Sequence, residues 1–177
     1  MDYLLKKWTA WYHTLDVNHD GCLSYGDVEE CQTKFLEVNG ISGDKATQIK
    51  TEVEKWWTTY VLPSKDASVT LEQFLGKQKE EYSADAEAYA KRMTDCFGAI
   101  FDVFDANKDR EMSVDELVNA FKSFGHDNET LVRQNFSLMK PENDTVPLKG
   151  VVNSWVHFTT CNDPSQADVV RDSIEGF

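Results

Sequence analysis

The stretch Asp16-Val17-Asn18-His19-Asp20-Gly21-Cys22-Leu23-Ser24-Tyr25-Gly26-Asp27 decides how the chain is read. Oxygen-bearing side chains stand at its positions 1, 3, 5 and 9, and a carboxylate stands at position 12. Gly21, at position 6, admits the sharp turn with φ > 0 that such a loop needs. Cys22, at position 7, offers its backbone carbonyl, so its side chain is free to vary, and Leu23 at position 8 points inward. Alternating oxygen donors on one short segment are what wrapping a hard divalent cation requires. Asp105-Ala106-Asn107-Lys108-Asp109-Arg110-Glu111-Met112-Ser113-Val114-Asp115-Glu116 repeats the pattern. Its donors are Asp105, Asn107, Asp109, Ser113 and Glu116 with the carbonyl of Glu111, and Met112 takes position 8.

Apolar residues spaced three and four apart flank both stretches. Leu4, Trp8, Trp11, Tyr12 and Leu15 precede the first, and Phe97, Ile100, Phe101 and Phe104 precede the second. Such spacing predicts helices with one buried stripe. Further stripes run through Ile49, Val53, Trp56, Trp57 and Tyr60, through Leu117, Phe121 and Phe124, through Leu131, Phe136 and Met139 with Asn135 as a polar exception, and through Val151 to Phe158. Asp127 is the expected N-cap of the helix after it. The charged stretch from Gly76 to Arg92 reads as helix joining two halves, residues 1–83 and 84–177. Extended segments are expected only at Ala67–Thr70 and Thr145–Pro147.

The two stretches resemble the ion loops of EF-hand proteins, which work in pairs whose position-8 residues form a short β bridge. Each ion-type loop therefore needs a partner in its own half. With Val69 at position 8, the frame places Leu62, Ser64, Asp66, Ala67, Thr70 and Gln73 at positions 1, 3, 5, 6, 9 and 12. With Val146 there, it places Met139, Pro141, Asn143, Asp144, Pro147 and Gly150. Neither frame has a carboxylate at position 1 or 12, so both read as structural partners, with an unusual ion site at Asp66, or at Glu142 and Asp144, left open. The ion-type loops also depart from the EF-hand pattern. Asp27 is one methylene shorter than the usual Glu, which favours six-fold coordination and hence Mg²⁺ competition at the first loop. Arg110 replaces Gly at position 6, where a left-handed conformation costs a non-glycine residue about 1–2 kcal/mol. Its positive charge is expected near the ion.

Thirty-one Asp and Glu face 18 Lys and Arg, a net charge of −13 that argues against nucleic acid and anionic membranes as partners. No apolar run approaches the roughly 18 residues of a membrane span. Two lysines interrupt the N-terminal apolar run at Lys6 and Lys7, which argues against a secretion signal. Four scattered cysteines form no zinc-type cluster and read as free thiols. Catalytic motifs such as G-x-S-x-G, a phosphate-binding Gly-rich loop or H-E-x-x-H do not occur, and no catalytic or organic-cofactor residue is assigned.

Over its whole length the chain resembles the invertebrate sarcoplasmic calcium-binding proteins. The resemblance rests on length, Trp-rich apolar helices, four hands with some degenerate, the text Leu15-Asp16-Val17-Asn18-His19-Asp20-Gly21, and Asp at position 12 of the first loop. It implies an all-α fold of four EF-hand units in two paired lobes packed into one globule, and a monomeric Ca²⁺/Mg²⁺ buffer of muscle or nerve cytosol. Calexcitins, luciferin-binding proteins and Ca²⁺-triggered photoproteins share this layout. Two Ca²⁺ sites are expected, with Mg²⁺ competing at least at the first, and no protein partner is indicated. A sensor is one alternative, although only four Met are present where a sensor's groove is Met-rich. A binder of a hydrophobic ligand is the other, with Trp8, Trp11, Trp56, Trp57, Trp155 and Phe158 as candidate lining and His13 and His157 as polar groups.

Overall fold

The apolar stripes fold as helices, seen in a computed structural model that describes residues 1–174. In chain order come α1 (Asp2–Leu15), α2 (Tyr25–Val38), α3 (Gly43–Tyr60), α4 (Leu71–Ala84) and α5 (Ala86–Phe104). There follow strand β1 (Glu111–Ser113), α6 (Val114–Ser123), α7 (Glu129–Leu138), strand β2 (Thr145–Pro147), α8 (Leu148–Thr160) and a 3-10 turn at Arg171–Ser173. Three helices begin at the same device. Ser24 with Asp27, Thr70 with Gln73, and Ser113 with Glu116 each form a reciprocal capping box, which satisfies amide groups a helix start would otherwise orphan. In the loop frames these are positions 9 and 12.

Two local expectations give way. The helical stretch between Gly76 and Arg92 is interrupted at Asp85, which has an extended backbone and accepts from the N–H groups of Glu87 and Ala88, both at 3.0 Å. A carboxylate that can cap stops one helix and starts the next without Pro or Gly. The N-cap of α7 is Asn128, whose Oδ1 accepts from Leu131 N at 3.1 Å, not Asp127.

The loops pair as their position-8 residues require. Leu23 and Val69 exchange both backbone hydrogen bonds, at 3.0 and 2.9 Å. β1 and β2 run antiparallel with Met112 opposite Val146. The halves then pack on each other, with α2 along α6, α3 against α5 and α1 against α8, around one apolar core. Tryptophans tie that seam by their polar edges. Trp8 Nε1 donates to Thr159 O at 3.0 Å, and Trp56 Nε1 donates to Cys96 O at 2.8 Å. Each indole thus buries its ring while its N–H stays paired.

The segment after α8 closes over α1. Lys7 Nζ and Asp168 Oδ2 meet at 3.0 Å, with side chains 0% and 2% exposed. The rings of Tyr3 and Phe158 flank the same ammonium at 4.8 and 5.4 Å. Asn162 Oδ1 accepts from Leu4 N, and Asn135 Nδ2 donates to Asp172 O at 2.7 Å. Of the two lysines that interrupt the N-terminal apolar run, Lys6 is exposed and Lys7 is wholly buried. Its burial is tolerable because the charge is paired, and removing either partner of such a pair costs about 3–5 kcal/mol.

Candidate metal centre

Both ion-type loops fold by the same hydrogen bonds. Asp16 Oδ2 accepts from Gly21 N at 3.1 Å, and Asp105 Oδ2 accepts from Arg110 N at 3.0 Å. Asn18 Oδ1 accepts from Asp20 N, and Asn107 Oδ1 from Asp109 N, both at 3.0 Å. Asp20 Oδ1 then accepts from Cys22 N at 3.0 Å, and Asp109 Oδ1 from Glu111 N at 2.9 Å. At positions 3 and 5 the side chain accepts from the amide two residues on, an Asx turn, and at position 1 from the amide five residues on, so all three build the loop as well as supplying oxygen. Position 6 is left-handed in both, with φ +91° at Gly21 and +66° at Arg110. Position 4 is left-handed too, with φ +58° at His19 and +61° at Lys108. Sequence reading singled out position 6 alone, because no glycine marks position 4.

The position-12 carboxylates differ in reach. Asp27 accepts from Ser24 N at 2.8 Å and from Asn18 N at 3.2 Å. Glu116 accepts from Ser113 N at 2.9 Å and from Ala106 N at 3.2 Å. The second oxygen of Glu116 accepts from the amide at position 2 and that of Asp27 from the amide at position 3, with the Val17 backbone at position 2 also lowering the Asp27 carboxyl. Burial pushes the Asp27 carboxyl above its ordinary value, the amides of Ser24 and Asn18 pull it back, and the charge of Asp16 pushes it up again. The two acids are close enough to repel each other.

At position 1 the chemistry is less resolved. Asp16 is 6% exposed and Asp105 is 0% exposed, and the second oxygen of each, Oδ1, is buried without a hydrogen-bond partner. A buried carboxylate oxygen left unpaired is costly. Both orphans sit in the same place, in loops whose remaining donors are carboxylate, amide, hydroxyl and carbonyl oxygens. That donor set suits a hard cation such as Ca²⁺ or Mg²⁺. Among the described residues no three His, Cys, Asp or Glu side chains gather as a metal cluster by themselves. The position-12 carboxylates are held on backbone amides, and the remaining donors at positions 3, 7 and 9 are of other types.

Arg110 takes the strained conformation expected of it, but its charge does not stay at the loop. Its guanidinium pairs with Asp102 on α5 at 2.5 Å and lies mostly in solvent. Lys108 Nζ bonds the same residue through its backbone carbonyl. Asp102 therefore gathers the two cationic side chains of this loop.

The partner loops depart from the ion-loop plan in different ways. The one ending at Gln73 keeps the capping box, with Gln73 Oε1 accepting from Thr70 N at 2.9 Å, but position 1 is the buried Leu62. The one ending at Gly150 becomes a tight hairpin. Asn143 and Asp144 both have φ > 0, and Glu142 and Thr145 exchange backbone bonds across them at 2.9 and 3.1 Å. Two consecutive residues with φ > 0 fit the mirror-image turn whose twist suits antiparallel strands. Glu142 and Asp144 are exposed, as is Asp66.

Of the aromatic residues proposed to line a ligand cavity, Trp11, Trp56 and Trp155 do surround one, with Phe97, Phe101, Phe104, Phe121 and Phe124. It measures about 40 Å³. Trp8, Trp57 and Phe158 fill other parts of the core, and His13 faces solvent.

No family model matches the chain. The sarcoplasmic calcium-binding protein of Mizuhopecten yessoensis is 44% identical over 175 residues, covering 98% of this chain and 99% of that relative. Among solved structures, the coelenterazine-binding protein of Renilla muelleri, in a Ca-loaded apo form, matches with a TM-score of 0.83 at 16% identity, over 97% of this chain and 94% of that one. N-aequorin matches with a TM-score of 0.72 at 17% identity, over 98% and 94%. A Streptomyces coelicolor calcium-binding protein matches at 0.66 with 19% identity, over 89% and 98%. The structural likenesses speak to the fold. On the strength of the first relative, the chain belongs to the sarcoplasmic calcium-binding protein family.

Proposed function

We propose that this sarcoplasmic calcium-binding protein is a cytosolic Ca²⁺/Mg²⁺ buffer with two ion sites, one in each half, residues 1–83 and 84–177. The first site is Asp16, Asn18, Asp20, the carbonyl of Cys22, Ser24 and Asp27. The second is Asp105, Asn107, Asp109, the carbonyl of Glu111, Ser113 and Glu116. The observation that carries the reading is the matched pair of orphaned oxygens, Asp16 Oδ1 and Asp105 Oδ1. A bound cation supplies the positive charge that relieves repulsion among the loop carboxylates, so binding and ordering of each loop are linked. The protein's own part is to hold the donors by Asx turns and capping boxes.

Buffering is favoured over sensing by the core. Met93 and Met112 are fully buried, and rigid aromatic rings pack where a sensor has a flexible Met-rich groove. The fold shared with a coelenterazine-binding protein raises the reading of a hydrophobic-ligand carrier. The core cavity of about 40 Å³ weighs against it, since ligand pockets usually span about 300–1,000 Å³. A fluorescent probe of exposed apolar surface separates buffer from sensor. The buffer predicts no rise in probe fluorescence as Ca²⁺ fills the metal-free protein, and a large rise would make it a sensor.

A further inference from the structure

Lys108 and Arg110 stand at positions 4 and 6 of the loop that begins at Asp105, and both have φ > 0. Both side chains turn back to one residue, Asp102, which lies in the last turn of α5 and three residues before the loop. Its Oδ1 is 2.5 Å from Arg110 Nη1, and its Oδ2 is 3.5 Å from Lys108 Nζ. Its backbone carbonyl accepts from the same ammonium. That carbonyl is open because Ala106 N, the amide that would carry the helix on to it, donates to Glu116 Oε1 instead. The position-12 carboxylate and the position-4 ammonium thus divide the groups that the end of α5 leaves over. The loop at Asp16 has no counterpart to this arrangement. His19 and Gly21 hold its positions 4 and 6, and His13 stands three residues before it. Within one molecule, the outlying carboxylate accompanies the loop that carries two cations and is missing from the loop that carries none.

We propose that Asp102 sets the Ca²⁺ affinity of the loop at Asp105 without binding the ion, by holding Lys108 and Arg110 off the loop's own carboxylates. The inference rests on the two-site reading above. A cationic side chain released from Asp102 has Asp109, which stands between the two in the sequence, as its neighbouring carboxylate. There it competes with the incoming ion for oxygen and repels the ion once bound. Pairing one helical turn upstream removes that competition. The side chains of Asp102, Lys108 and Arg110 are 51%, 55% and 67% exposed, so water screens the pairs and keeps the effect modest. Asp102 is a positioning residue, which acts on the site only through the two cations.

Calorimetric Ca²⁺ titration in the Asp16→Ala background, where the surviving event belongs to the loop at Asp105, tests this. Adding Asp102→Asn is expected to weaken that event by about 2- to 5-fold. With Lys108→Gln and Arg110→Gln also present, Asp102→Asn is expected to cost clearly less, because no cation is left to release. Arg110→Gln keeps a side chain at the left-handed position, so the strain there is not relieved. An equal loss in both settings overturns the proposal, since Asp102 would then act as one more negative charge. Affinity unchanged by Asp102→Asn with both cations present overturns it as well, and leaves the two-site reading standing. Two events persisting in Asp16→Ala overturn the two-site reading and this inference with it.

Discussion

The loops at Asp16 and Asp105 share one hydrogen-bond plan, and two of the positions at which they differ, 6 and 12, set the turn and the last carboxylate. The first combines an easy turn at Gly21 with a short carboxylate at Asp27, and the second a strained turn at Arg110 with a long one at Glu116. The plan is fixed by Asp and Asn at positions 1, 3 and 5. Position 6 then sets how much backbone strain opposes the folded loop, and position 12 sets how far the last carboxylate reaches. Strain bears on affinity for any ion, whereas reach bears on the choice between seven-fold and six-fold coordination. On the proposed two-site reading, each loop is weakened in a way of its own.

The largest effect that bears on this comparison is loss of position 1. Asp16→Ala is expected to abolish binding at the first loop while the second still binds, and Asp105→Ala the converse, each read as one binding event lost by calorimetry. Unchanged two-site stoichiometry in either variant would refute the ligand assignment. Arg110→Gly is expected to strengthen the second site by about 1–2 kcal/mol, roughly 5- to 30-fold, because glycine meets no Cβ penalty at φ > 0. Weaker binding in that variant would mean that the pairing of Arg110 with Asp102 matters more than the strain. Asp27→Glu is expected to bring a change of a few-fold, lowering the ability of Mg²⁺ to displace Ca²⁺ at the first loop. Mg²⁺ competition as strong as before would break the link between carboxylate length and ion choice. Gln73→Glu is expected to change nothing in stoichiometry, since Leu62 still occupies position 1 and the capping box is already formed. A third Ca²⁺ event there would show that position 12 alone can revive a silent loop.

Much of this was legible in the sequence because local chemistry governs it. The donor spacing, the apolar stripes and the position-8 residues Leu23, Val69, Met112 and Val146 depend on neighbours within a few residues, and the observed bridges join those four as the frames required. What stayed hidden depends on distant partners or on residues with two uses. Lys7 reads as an interruption in an apolar run, and only Asp168, far along the chain, explains its burial. Asp85 looks like one more charge in a charged helix until its carboxylate is seen capping α5. Asn143 and Asp144 look like ion-loop remnants, yet they make a hairpin turn. The charge of Arg110 was expected at the ion and is instead held by Asp102, a residue outside the loop frame.

The central claim is two sites that share a plan and differ in ion choice. The measurement that tests it most directly is calorimetric titration of metal-free protein with Ca²⁺, first without Mg²⁺ and then with millimolar Mg²⁺. The account predicts two Ca²⁺ binding events, with at least the first-loop event weakened by Mg²⁺. Three or four events, or two events both indifferent to Mg²⁺, would contradict it.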